Sequence, residues 1–213
     1  MPMDYLQQAA DLARRHGLSV HLDGARVMNA AVDQAAAYGS DVFSELRTIC
    51  DVFDSVSVCF SKGLGAPVGS ALCGSKVLIQ KAHRARKMLG GGMRQSGVLA
   101  AAALHALDHH VHRLSQDHLL AKRLADGLRA IPGVTIRSAQ TNIVFVDVAD
   151  GHGPALLEYL KQANVLATGL IGLRFVTHLD VDAQGIDHAI ASVRAFVEST
   201  AGKAASARPS GPY

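Results

Sequence analysis

The sequence predicts an α/β fold in which a mostly parallel sheet with crossover helices is followed by a small α+β layer. Two observations carry this. Through residues 1–75, amphipathic helical stripes alternate with short apolar runs, the order helix, strand, helix, strand that signals parallel strands joined by helices. Past residue 110 the pattern changes: strands over 134–137, 142–148, 165–168 and 173–176 surround a helix over 154–162. The expected division is a first domain over 1–110, a small domain over 111–200 and a disordered tail over 201–213, where AGKAASARPSGPY has no periodicity.

Each element has a local reason. Leu6, Ala9, Ala10, Leu12 and Ala13 form one helical stripe over residues 4–16, which Gly17 stops. A short strand over 18–22 delivers Asp23 to its C-terminal end. A second helix over 26–38 is stopped by Gly39, and Asp41 caps a shorter one with Glu45 in its first turns. Val56, Val58 and Phe60 alternate with Ser55, Ser57 and Cys59, the mark of a strand with two unlike faces. Gly63, Gly65, Pro67 and Gly69 then force a loop, and a second apolar run spans 68–73. Ser75 starts a helix bearing Lys76, Lys81, Arg84, Arg86 and Lys87, read mainly as a solvated basic face. Gly90, Gly91 and Gly92 break it before an Ala-rich helix over 96–107. A long amphipathic helix over 114–131 ends at Pro132-Gly133, and a final helix spans 183–200.

Composition narrows the class. The 213 residues carry a formal net charge of +3, too small and dispersed to indicate nucleic acid as a partner. No apolar stretch reaches the roughly 18 residues of a membrane span. The 3 cysteines fit a reducing compartment better than a disulfide framework, and a cytoplasmic protein is expected. The cluster Asp108, His109, His110, Val111, His112 lacks i, i+4 ligand spacing among its three histidines, so a solvated link between helices is the reading favoured over a metal site.

The stretch SVSVCFSKGLGAPVGSALCG over residues 55–74 organises the rest. It places Lys62 at a strand end, followed by glycines on both sides of Leu64 that let a flat ligand approach the backbone. Lysine there is either an ordinary surface residue or a nucleophilic amine. In open α/β sheets ligands bind beyond the carboxyl ends of the strands, and Asp23 and Lys62 both fall at such ends.

Together HLDGAR (21–26), SKGLGAPVGS (61–70), RKMLGGGMRQSG (86–97) and RFVTHLD (174–180) resemble the low-specificity threonine aldolases, over nearly all of residues 1–200. These are pyridoxal phosphate (PLP) enzymes of the aspartate-aminotransferase fold type. The resemblance makes Lys62 similar to the family's Schiff-base lysine and Asp23 to the aspartate that pairs with the pyridine nitrogen. It places Arg26 near the cofactor's phenolic oxygen and the substrate carboxylate. Arg174 lies in an otherwise apolar strand, where an unpaired guanidinium is costly. The resemblance gives it the substrate's carboxylate as partner, whereas a salt bridge, for instance to Asp180, would be purely structural. Arg94 and Lys87 match positions near a cofactor phosphate, in the family that of a neighbouring subunit.

The implied reaction is retro-aldol cleavage of a small β-hydroxy amino acid, threonine or allo-threonine, to glycine and acetaldehyde, in a homo-oligomer that is a tetramer in the family. Alternatives are a related PLP lyase that eliminates at the β-carbon, or a non-catalytic chain that associates with full-length subunits. Family members extend further at the N-terminus, where they carry the phosphate-binding Gly-Thr-type turn and a ring-stacking histidine. The resemblance therefore implies an incomplete large domain here, and little turnover by the 213-residue chain alone.

Overall fold

Helix α1 (Met3–Arg15) buries Ala10, and Arg14 donates to the Val52 carbonyl at 2.7 Å. The first strand, β1 (His21–Gly24), starts later than the sequence suggests. Strand pairing begins at His21, which faces Ser55, and Leu18 is left exposed. Helix α2 (Val27–Tyr38) ends at Gly39, whose φ of 67° is the left-handed geometry glycine accepts most readily. Asp41 caps α3 (Val42–Cys50) by accepting from the Ser44 N–H at 2.8 Å, a bond that holds its carboxyl below the usual range.

A computed structural model describes residues 1–170 and 172–206. They divide into two compact units, Met1–Ser115 and the residues from Gln116 onward. In the first unit β1 pairs in parallel with β2 (Ser55–Cys59), across the connection made by α2 and α3. β2 then pairs antiparallel with β3 (Ser70–Gly74), in the order β1-β2-β3. One of these pairings is thus parallel and one antiparallel, because β3 follows β2 through a loop with no crossover helix. The apolar faces of β2 and α2 meet in a core that includes Val56, Val58, Met28, Ala31, Val32 and Ile49. Ser75 caps α4 (Lys76–Met88), which buries none of its residues, and α5 (Gly97–His109) follows.

Helix α6 (Leu114–Arg129) leads into the second unit. There β4 (Val134–Gln140), β5 (Ile143–Val148) and β6 (Leu173–Val176) form an antiparallel sheet. Helices α7 (Gly153–Gln162) and α8 (Ala183–Ser206) help bury it through Leu156, Leu160, Val193 and Phe196. The strand expected over 165–168 does not form. Only Thr168 bridges to Arg174, because the chain turns back at once through Gly169 and Gly172, leaving Leu166 84% exposed. Helix α8 runs past the expected end at residue 200 to Ser206, and residues 207–213 of the expected tail lie outside the described residues.

The β1–β2 pairing tolerates no side chain at Gly24. A Cβ there would sit 2.7 Å from the Ser57 carbonyl oxygen and 3.0 Å from Val56 Cγ1. Gly24→Ala is expected to destabilise the first unit by about 1–3 kcal/mol, measured by urea unfolding. Wild-type stability in that variant would mean the two strands separate at no cost.

Candidate active site

Two adjacent parallel strands deliver whatever follows them to one edge of a sheet. Asp23 is the penultimate residue of β1, opposite Ser57, and Lys62 lies just past the end of β2 at Cys59. Asp23 is exposed, and its Oδ1 accepts from the Ala25 N–H at 3.2 Å, closing the turn into α2. Arg26, half-buried, occupies the N-cap position of that helix.

The Lys62 loop is ordered by its own backbone. Phe60 N–H donates to the Gly69 carbonyl at 3.0 Å, and Ala66 N–H to the Phe60 carbonyl at 2.9 Å. Gly65 N–H donates to the Lys62 carbonyl at 2.9 Å, with Gly65 at φ 73°. Leu64 is buried beneath this turn, while Lys62 itself is exposed. The lysine thus sits on a loop past the strand, with its ammonium solvated, and not at the buried strand end expected from the sequence.

Two recesses flank these groups. A narrow crevice, too tight to admit a water molecule, is lined by Arg26, Asn29, Val58, Lys62, Gly63 and Leu64 among others. A wider one of about 200 Å³ is lined in part by Leu22, Asp23, Arg26 and Gln34. Arg26 lines both. An amine, a carboxylate and a guanidinium lining two recesses that share Arg26 are the donor types that PLP and an amino acid require: a carbonyl-reactive amine, an anion for a pyridinium nitrogen and a cation for a carboxylate.

The remaining predicted residues are distributed differently. Lys87, in the last turn of α4, and Arg94, in the turn before α5, are both exposed and line neither recess. The Lys87 amine overlies the glycine break, where a Cβ on Gly92 would come within 2.9 Å of its Nζ. Next to Arg94, Gln95 holds a left-handed φ of 50°, uncommon for a residue with a side chain. Arg174 is in the second unit, on β6 opposite Phe145. It forms no ion pair among the described residues, and its buried Nε has no hydrogen-bond partner. Asp180 instead lies 3.6 Å from His178, so the structural salt bridge weighed for Arg174 is absent.

The histidine cluster is largely the solvated link expected, with Asp108 and His109 exposed at the end of α5 and His112 exposed before α6, and His110 is the exception. His110 Nδ1 lies 2.6 Å from the Leu64 carbonyl oxygen, inside the Lys62 loop, a contact no sequence pattern announced. The i, i+4 partner missing among residues 109–112 is His105, whose ring stacks 4.5 Å from that of His109. Among the described residues no group of three side chains is placed to hold a metal ion. Burial pushes the Cys50 thiol up from its usual value, and its side chain packs half-buried against the core of the first unit.

The α/β architecture is shared with solved structures at low sequence identity. It matches Leishmania major threonine aldolase with a TM-score of 0.71 at 19% identity, over 92% of this chain and 56% of that one. It matches Sphingomonas wittichii serine palmitoyltransferase with a TM-score of 0.68 at 22% identity, over 92% and 51%. Residues 1–151 match the beta-eliminating lyase family, and the chain belongs to that family. Among curated relatives, the low specificity L-threonine aldolase of Escherichia coli K12 is 45% identical over 197 residues, 92% of this chain and 56% of the relative. Low-specificity L-threonine aldolase 1 of Arabidopsis thaliana is 46% identical over 153 residues, 71% of this chain and 40% of the relative. The chain spans about half the length of the curated relatives it matches.

The unbonded Nε separates a ligand role for Arg174 from a structural one. A buried donor without an acceptor costs about 1–3 kcal/mol. Arg174→Met, which keeps most of the apolar stem, is therefore expected to unfold in urea at the wild-type midpoint or above it. A clear loss of stability would mark Arg174 as part of the fold's own bonding.

Proposed function

We propose that this chain supplies the strand-end groups of a PLP-dependent aldolase site that cleaves threonine or allo-threonine to glycine and acetaldehyde. The observation that carries the reading is the delivery of Asp23 and Lys62 to one sheet edge by parallel neighbours, with Arg26 lining the recesses beside both. The names of the relatives from Escherichia coli and Arabidopsis thaliana supply the substrate. When bound, PLP supplies an electron-poor pyridinium ring that accepts the electron pair released at the substrate's α-carbon.

The chain's own residues divide the remaining work. Lys62 Nζ would hold the cofactor through its carbonyl carbon. The Asp23 carboxylate keeps a proton on the ring nitrogen. Arg26 and Arg174 orient the substrate carboxylate, for which a guanidinium offers two parallel N–H donors. Lys87 and Arg94 serve a phosphate. Their exposure beside Met88, Leu89, Met93 and Val98, all exposed apolar residues, supports a homo-oligomer, a tetramer by family resemblance, in which that phosphate belongs to a neighbouring subunit. In this reading residues 1–110 are part of the cofactor domain and 111–200 the small domain. The free thiols of Cys50, Cys59 and Cys73 fit a reducing, cytoplasmic compartment, where the proposed reaction would break down threonine and form glycine. The family's description favours a second reading, elimination of a β-leaving group by the same residues. Release of a keto acid and ammonia from such an amino acid, with no glycine from threonine, would select it.

One kinetic experiment tests the roles. Glycine release from L-threonine with added PLP is measured for the chain and for a version extended at its N-terminus to the relatives' length. Asp23→Asn should bind PLP but lose most of kcat, because an amide cannot hold the pyridinium charge. Arg174→Lys should raise KM about ten- to a hundredfold, because a bidentate charge-assisted contact is worth about 1.5–3 kcal/mol. Unchanged kcat in the first variant, or unchanged KM in the second, would remove that residue from the site.

A further inference from the structure

We propose that His110 is a positioning residue for Lys62, clamping the lysine's loop through the Leu64 carbonyl. This rests on the reading of Lys62 as the cofactor-holding amine.

The carbonyl can only accept, so His110 Nδ1 carries the hydrogen in the 2.6 Å bond, and both the Nδ1–H neutral ring and the imidazolium can make it. His110 is well anchored for this. It is the C-cap residue of α5, with its N–H on the Ala106 carbonyl at 2.9 Å. The next residue, Val111, is 1% exposed, and Leu114 is fully buried. On the loop side, Leu64 has its side chain in the core and its carbonyl on the imidazole, so its peptide is held at both ends.

Only Gly63 separates that clamped residue from Lys62. Gly63 is itself pressed against the protein: a Cβ there would lie 2.8 Å from Leu114 Cδ2 and 3.0 Å from Asn29 Oδ1. A lysine's ammonium rides on a flexible four-carbon stem, so what the fold can fix is the position of its Cα. Holding a reactive group in place removes entropy from the step in which it reacts. The His105 ring stands edge-on to His110 at 5.3 Å.

The test compares the full chain with His110→Ala and His110→Asn, whose amide N–H can take the place of Nδ1–H. In His110→Ala, amide exchange at Gly65 and Ala66 should rise about tenfold, the loss of one hydrogen bond, with β2 and α2 unchanged. The rate at which PLP attaches to Lys62 should fall by a similar factor. His110→Asn should restore both. The proposal is overturned if the loop's exchange is unchanged in His110→Ala. It is also overturned if the whole first unit loosens equally and Asn does not rescue it, or if the loop loosens while attachment to Lys62 keeps its rate. Absence of attachment to Lys62 in the wild type would overturn the cofactor reading and the positioning role with it. The exchange data would then show separately whether the clamp exists.

Discussion

The parallel register of β1 and β2 is the constraint on which the candidate site depends. With His21 opposite Ser55 and Gly24 opposite Val58, Asp23 near the end of β1 and Lys62 just past the end of β2 come to the same edge. A slip of one residue would turn every β1 side chain to the other face and carry Asp23 with them. Three devices hold the register. Val20 and Asp54 exchange hydrogen bonds just before the pairing starts, through the Asp54 carboxylate at 2.7 Å and its N–H at 2.9 Å. His21 Nδ1 and Ser55 Oγ meet at 2.9 Å across the strands. Gly24 lets the Ser57 carbonyl approach where any side chain would block it.

The sequence exposed those parts of the fold that rest on local chemistry. Asp41 and Ser75 cap the helices they were read to cap, and Gly39 takes the left-handed position that ends α2. The apolar alternation around Val56 and Val58 is the buried face of β2. Features decided at long range were not legible. The direction of β3 follows from the path of the loop, and residues 165–168 fail as a strand because only Thr168 finds a pairing partner, Arg174, despite their apolar composition. His110 was misread for a related reason: its partner is a main-chain carbonyl 46 residues away, and no side-chain pattern advertises a carbonyl.

Polar groups placed at a cost are the second thread. Arg174 keeps a buried, unbonded Nε in a strand whose neighbours Leu173 and Phe175 are core residues, an arrangement that packing alone would discard. Helix α4 spends no residue on the core and carries Lys76, Lys81, Arg84, Arg86 and Lys87 on an exposed surface. In the proposed site a carboxylate would satisfy the Arg174 Nε, whereas the basic face of α4 is exposed along its length, as its sequence pattern indicates. The glycines around Lys62 serve packing as well as access, since Gly63 is pressed against Leu114 and Asn29.

The most direct measurement is the chemical location of the cofactor. The chain is incubated with PLP, reduced with borohydride, digested and mapped by mass. Delivery of Lys62 beside Asp23 and Arg26 predicts a single stable label on Lys62, lost in Lys62→Ala. Label spread over the exposed lysines of α4, such as Lys76 and Lys81, with none on Lys62, would contradict the account.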